Sequence, residues 1–238
     1  MDIKSALAEL IGTFTLVFIG AGAGAVLEAN SAGTVGVALA HGLALMVIVY
    51  AWGSISGAHV NPAVTLGIAV AGHMEWSKAI AYWIAQLVGA IAAGYLLHWF
   101  LGPASNLGAT IGSLTPHGIV DGDALKVVVL EAVLTFFLVA AVFASGVHGR
   151  NGNMAGIAIG LVLSMDILMG GGLTGASMNP ARTLGPAVAT GDLSYVWMYF
   201  VGPLVGGAVA ALLYDRYFLP AELKPPVEAA ESRGKRRR

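Results

Sequence analysis

The sequence contains no cysteine and very little charge. The absence of cysteine excludes disulfides, thiolate metal sites and a cysteine nucleophile. Only 11% of the 238 residues are charged, whereas a soluble domain carries about 25%. Twelve Lys and Arg stand against 13 Asp and Glu, and the formal net charge of −1 excludes a basic nucleic-acid footprint. Chemical signatures are missing as well. There is no HExxH or comparable ligand spacing, no Ser–His pair in a recognisable motif and no cofactor loop. An enzyme is therefore not expected, nor is a cofactor or a metal.

What the sequence has in abundance is apolar length. Hydrophobic residues make up 57% of it, and 33 glycines are spread among them. That combination suits helices packed closely through small side chains in lipid. A bilayer core needs about 20 mostly apolar residues per helix. Six stretches qualify, at 6–27, 34–55, 79–101, 124–146, 154–172 and 194–216. Two shorter apolar pieces, 62–71 and 180–189, are too short to cross and predict half-helices. The first stretch carries Glu9 and is read as a retained span rather than a cleaved signal. A single membrane-embedded unit is expected over 1–220, with halves at about 1–101 and 124–218 joined by the loop 102–123. The tail 221–238 is rich in Pro, Glu and Arg and predicts disorder. Lys4, Lys78, Arg150 and the basic tail end fall on one side of the spans, while loops 28–33 and 102–123 lack Lys and Arg. Both termini are therefore expected to be cytoplasmic, in the plasma membrane.

One phrase occurs twice. SGAHVNPAVTLG at 56–67 and TGASMNPARTLG at 174–185 agree at eight of 12 positions, at an offset of 118. Residues 40–70 and 158–188 agree at 15 of 31 positions. Around Glu9 and Glu131, residues 9–17 and 131–139 agree at five of nine. The chain is thus two homologous halves, each with three spans and a half-helix after the second. Three is odd, so the second half enters the membrane from the opposite side and the repeat is inverted.

Each copy carries Asn-Pro-Ala before its half-helix: Asn61-Pro62-Ala63 and Asn179-Pro180-Ala181. Asn is a favoured N-cap, and Pro suits the first helical position because it has no N–H to strand there. Inversion brings the two helix starts together near the midplane. Each carries about half a positive charge. Two such ends repel cations and hydrated protons, while the Asn amides offer donors to a neutral hydrogen-bonding molecule.

With these motifs the chain resembles the major intrinsic protein family, the aquaporins and aquaglyceroporins, over residues 3 to about 218. The resemblance implies an all-α fold of six tilted transmembrane helices plus two re-entrant half-helices. It also implies a homotetramer in which each subunit has its own pore. Four positions of this sequence match the family's selectivity filter: His41, Ile167, Ala176 and Arg182. This set departs from the orthodox water-channel pattern, which has an aromatic residue and a second His, and looks more like plant tonoplast intrinsic proteins. Ile167 in place of His implies a less polar, wider filter. Glycerol facilitators typically have Asp after the filter Arg and a basic residue four positions later, where this sequence has Thr183 and Ala187. The resemblance makes His117 a candidate extension of the filter, a solvated loop histidine being the alternative.

Glu9 and Glu131 are read as carboxylates that brace the non-helical backbone leading into each half-helix. His59, beside the first motif, is read as pore-lining or loop-bracing. Asp166 stays open between pairing within the bundle, protonation and lining the pore. The expected function is passive conduction of water, with ammonia, urea, hydrogen peroxide and glycerol as further solutes and exclusion of protons and ions. The alternative is an ion-coupled secondary transporter, which can share inverted repeats and broken helices. One prediction follows at once. The family's frequent mercurial-sensitive cysteine corresponds to Ala176, so mercurials should leave the water permeability of reconstituted protein unchanged; thiol-reversible block would contradict this.

Overall fold

In the computed structural model, residues 2–27, 33–110, 123–149 and 152–218 are described. Eight α-helices occur among them: α1 (Ile3–Leu27), α2 (Gly33–Ser56), α3 (Pro62–Val70), α4 (Trp76–Leu101), α5 (Asp123–Val142), α6 (Ala155–Thr174), α7 (Pro180–Thr190) and α8 (Val196–Leu213). α5 and α8 each run on into a π-helical turn, Phe143–Val147 and Tyr214–Phe218. Six helices, these extensions included, are long and apolar enough to cross a bilayer, with mean hydropathies from 1.7 to 2.7. α3 and α7, at nine and 11 residues, are not.

The helices sort their residues as lipid requires. α2 turns Leu39, Leu43, Val47 and Tyr50 outward, and α8 turns out Val201, Val205 and Val209. Each set repeats at helical spacing and forms one apolar stripe. The inward faces are instead rich in Gly, Ala, Ser and Thr, which let backbones approach.

Packing follows the inverted repeat. α1 lies against α2 and α4, as α5 lies against α6 and α8. The half-helices cross over: α3 packs on α8 of the other half, and α7 packs on α4. At the centre α2 meets α6, where Gly42 and Gly160 are repeat mates in direct contact. A Cβ on Gly42 would stand 2.5 Å from the Gly160 carbonyl oxygen, and one on Gly160 would stand 2.5 Å from that of Gly42. Neither position can carry a side chain without driving the halves apart. Each half-helix is packed mainly against the opposite half.

Two left-handed stretches lead into the half-helices. Gly57, Ala58 and Val60 have φ of 98°, 50° and 42°; Gly175, Ala176 and Met178 have 87°, 43° and 53°. Such angles cost L-residues about 1–3 kcal/mol each, most for β-branched Val60, and persist only where the surroundings over-determine them.

Candidate functional site

The surroundings that fix those stretches are the two buried glutamates. Glu9 Oε1 accepts from Ser56 Oγ at 2.6 Å and from the His59 N–H at 2.9 Å; Oε2 accepts from the Val60 N–H at 2.7 Å and from Gln86 Nε2 at 2.8 Å. Glu131 Oε1 accepts from Thr174 Oγ1 at 2.7 Å and the Ser177 N–H at 3.1 Å, and Oε2 accepts from the Met178 N–H at 2.8 Å. These backbone N–H groups lie outside any helix and would otherwise be stranded away from water. Both glutamates are fully buried. The bracing extends to Tyr82, Gln86 and Tyr199, none of which the sequence analysis assigned to it. Tyr82 and Tyr199 donate their hydroxyls to the Ser56 and Thr174 carbonyls. Gln86 also donates to Thr65 Oγ1 at 2.9 Å. The near-repeat of the two tyrosines, 117 residues apart, was the available signal.

Asn61 and Asn179 begin the half-helices in extended conformation, with φ of −157° and −148°. Asn61 Oδ1 accepts from the Ala63 N–H at 2.8 Å; Asn179 Oδ1 accepts from those of Ala181 and Arg182 at 3.0 and 3.2 Å. Pro62 and Pro180 occupy the first helical position. The Nδ2 groups then cross over. Asn61 Nδ2 donates to the Met178 carbonyl and Asn179 Nδ2 to the Val60 carbonyl, both at 2.8 Å. An amide NH2 has two N–H bonds, so each asparagine keeps one for the lumen. The other N–H of each amide ties the two loops together.

A cavity of about 460 Å³ leads to these asparagines from the face of the bundle where α1 begins. Its mouth is formed by His73, Ser145 and Gly152, its walls by Leu45, Leu138 and Leu163, and its far end by Asn61, Asn179, His41 and Arg182. Beyond lies a smaller cavity of about 50 Å³ whose lining includes Thr34, Thr110, Ile167 and Gly171. Arg182 lines both, so its side chain stands between them.

Arg182 Nε donates to His41 Nε2 at 3.3 Å, while His41 Nδ1 lies 2.9 Å from the Val37 carbonyl oxygen. Both bonds are made only by the neutral tautomer with its proton on Nδ1. His41 and Arg182 are therefore brought together, and Ile167 joins Arg182 at the smaller cavity. Ala176 is adjacent but lines neither cavity; its Cβ lies toward Gly170 of α6. His59 both lines the large cavity and braces its loop, through Nδ1 to Thr65 Oγ1 at 3.1 Å and edge-on contact with Tyr82. Thr183 bonds Ser177 Oγ at 2.7 Å and Thr110 Oγ1 at 3.0 Å, anchoring the segment that follows α4 to α7. Asp166 is buried on α6 and lines neither cavity, and its Oδ2 has no hydrogen-bond partner among the described residues. His117 and the tail 221–238 lie outside the described residues.

Comparison with known proteins agrees with this geometry. Residues 1–214 match the family described as Major intrinsic protein. Aquaporin TIP1-2 of Zea mays is 45% identical over 226 residues, covering 91% of this chain and 86% of the relative. Aquaporin TIP2-1 of Arabidopsis thaliana is 41% identical over 244 residues, covering 97% and 93%. Among solved structures, the aquaglyceroporin from Plasmodium falciparum superposes with a TM-score of 0.79 at 25% identity, covering 92% of this chain and 98% of that one. A family match across nearly the whole length, on a bundle with two crossed half-helices, means that the chain belongs to the major intrinsic protein family.

Proposed function

We propose that the lumen conducts water and small neutral solutes, namely ammonia, urea, hydrogen peroxide and glycerol, down their gradients while holding back protons and ions. The observation that carries this reading is the pair of capped helix starts at the end of a cavity walled by Leu45, Leu138 and Leu163. Asn61 and Asn179 each offer one N–H there, on helix ends of positive potential. A neutral molecule gains a hydrogen bond at that point. A cation loses its hydration shell and meets two positive helix ends and a guanidinium.

His41, Arg182 and Ile167 are assigned the selectivity filter, with Ala176 supplying backbone beside it. Arg182 and the neutral His41 form its polar wall and Ile167 an apolar one. Asn61, Pro62, Ala63, Asn179, Pro180 and Ala181 form the central barrier, and Glu9, Glu131 and His59 hold its loops. The proposed assembly is a homotetramer in which each subunit has its own pore, as the resemblance to the family implies. Lys4 and Lys78 support cytoplasmic termini, with the plasma membrane as the proposed place of residence.

The test is stopped-flow shrinkage and swelling of proteoliposomes with water, glycerol, urea, ammonia and hydrogen peroxide compared side by side. Water must pass rapidly for the reading to stand. A second expectation concerns the apolar wall. Ile167→His adds a bulky polar ring and should lower ammonia and urea flux about tenfold, the smaller end of what such steric differences decide, with a lesser effect on water. Equal loss of all fluxes would remove Ile167 from the filter.

A further inference from the structure

We propose that Gly20 of α1 is a specificity-determining position. It provides a recess in the pore wall for the His41 imidazole, and so sets the width of the passage beside Arg182. This inference rests on the reading of His41 and Arg182 as the constriction.

α1 presents Leu16, Gly20 and Gly24 at intervals of four, on one face of the helix. Leu16 lines the large cavity and Gly24 the small one. Gly20 lies between them on the same face, yet it is buried and lines neither cavity. The reason is the imidazole lying over it. A Cβ at Gly20 would stand 2.5 Å from His41 Nε2 and 2.8 Å from Cγ. Non-bonded carbon contacts settle at about 3.5–4.0 Å. A single methyl group at this position would therefore push the ring about 1 Å away from α1.

The direction of that push is constrained. His41 projects from α2 and is tethered there to the Val37 carbonyl through Nδ1. Its Nε2 edge already meets Arg182, and the lumen lies alongside. Displacement away from α1 thus carries the ring into the passage. At present the ring occupies space that a larger residue at position 20 would fill, and the passage is wider by that amount.

The inverted repeat supplies an internal comparison. The offset of 122 that pairs Glu9 with Glu131 pairs Gly20 with Val142, and the offset of 118 pairs His41 with Ile159. Val142 and Ile159 both line the large cavity. The half that carries an aliphatic side chain on its second span carries valine opposite it. The half that carries a ring carries glycine. The recess goes with the ring, at the one end of the lumen where Arg182 narrows the path. Solutes larger than water, such as urea, are the ones whose passage this width decides.

The experiment uses full-length protein in proteoliposomes, with water and urea fluxes measured for four forms: wild type, Gly20→Ala, His41→Ala and the double variant. Gly20→Ala should lower urea flux about tenfold and water flux by much less, and the double variant should recover urea flux. A merely structural role for Gly20 would lower both fluxes together, and removing the ring would not restore one of them. If Gly20→Ala does not fold, the double variant, relieved of the clash, should fold and conduct urea; its failure would overturn the proposal. Unchanged selectivity in Gly20→Ala, with raised urea flux in His41→Ala, would overturn the role of Gly20 alone. Unchanged selectivity in His41→Ala would overturn the constriction and the positioning of its ring together.

Discussion

Glu131→Leu should destabilise the protein by roughly 2–6 kcal/mol, counted as two stranded backbone N–H groups at about 1–3 kcal/mol each. Those groups belong to Ser177 and Met178, and Glu131 is their acceptor. The leucine is apolar and of similar reach, so the loss comes from unmet hydrogen bonds rather than from a cavity. Met178 also holds a left-handed backbone whose carbonyl accepts from Asn61. Freed from the carboxylate, the stretch relaxes toward ordinary angles, and the crossed asparagine bonds break with it. Water conduction should be lost together with stability. Glu131→Gln keeps one carboxamide oxygen but turns an NH2 toward a donor, and should fall between the two. Glu9 accepts four bonds in the same arrangement, so Glu9→Leu should behave alike. Thermal unfolding in detergent, paired with water flux, measures both effects. A Glu131→Leu protein with unchanged melting and flux would contradict the bracing role.

Arg182→Val should open the pore to cations. A guanidinium about 4 Å from a passing cation opposes it by about 4 kcal/mol at an effective dielectric constant near 20. That corresponds to about a thousandfold in occupancy. The helix ends at Asn61 and Asn179 remain in the variant, so a thousandfold is the upper bound of the leak. Water flux should change little, because valine leaves the passage wider. The readout is proton and sodium entry into proteoliposomes carrying ion-sensitive dyes. A tight barrier to both ions in Arg182→Val, with water flux intact, would assign exclusion wholly to the helix ends.

The parts of this site that were legible in the sequence are those whose chemistry is local. Asn61-Pro62 and Asn179-Pro180 cap helices with their own side chains, and a cap depends on three or four consecutive residues. Glu9 and Glu131 stood out because a carboxylate in an apolar span needs partners. The inverted arrangement followed from counting spans. Helix ends were less legible: α1 and α4 start three residues before the apolar runs that predicted them, at Ile3 and Trp76, because polar residues such as Lys4 and Lys78 are tolerated in a first turn at the membrane boundary.

What escaped the sequence depends on contacts between distant segments. The crossed bonds from Asn61 to Met178 and from Asn179 to Val60 span 117 and 119 residues. No local pattern encodes them. Gln86 is one polar residue in a long apolar run, and only the fold sets its amide between Glu9 and Thr65. Ala176 lies three residues before Asn179, and its left-handed backbone, which no local pattern encodes, turns its Cβ toward α6. Gly20 was one of 33 glycines; only the position of the His41 ring distinguishes it. Asp166 has a carboxylate oxygen without a hydrogen-bond partner among the described residues, and the geometry assigns it no role.

The central claim is passive conduction through a fixed pore, and one measurement addresses it directly. Proteoliposomes are given an osmotic step together with labelled urea, with and without an imposed proton or sodium gradient. The account predicts fast water movement and urea equilibration at rates unaffected by either gradient, with urea never exceeding its external concentration. Accumulation of urea above that level, driven by either ion, would contradict the account and establish a coupled transporter instead.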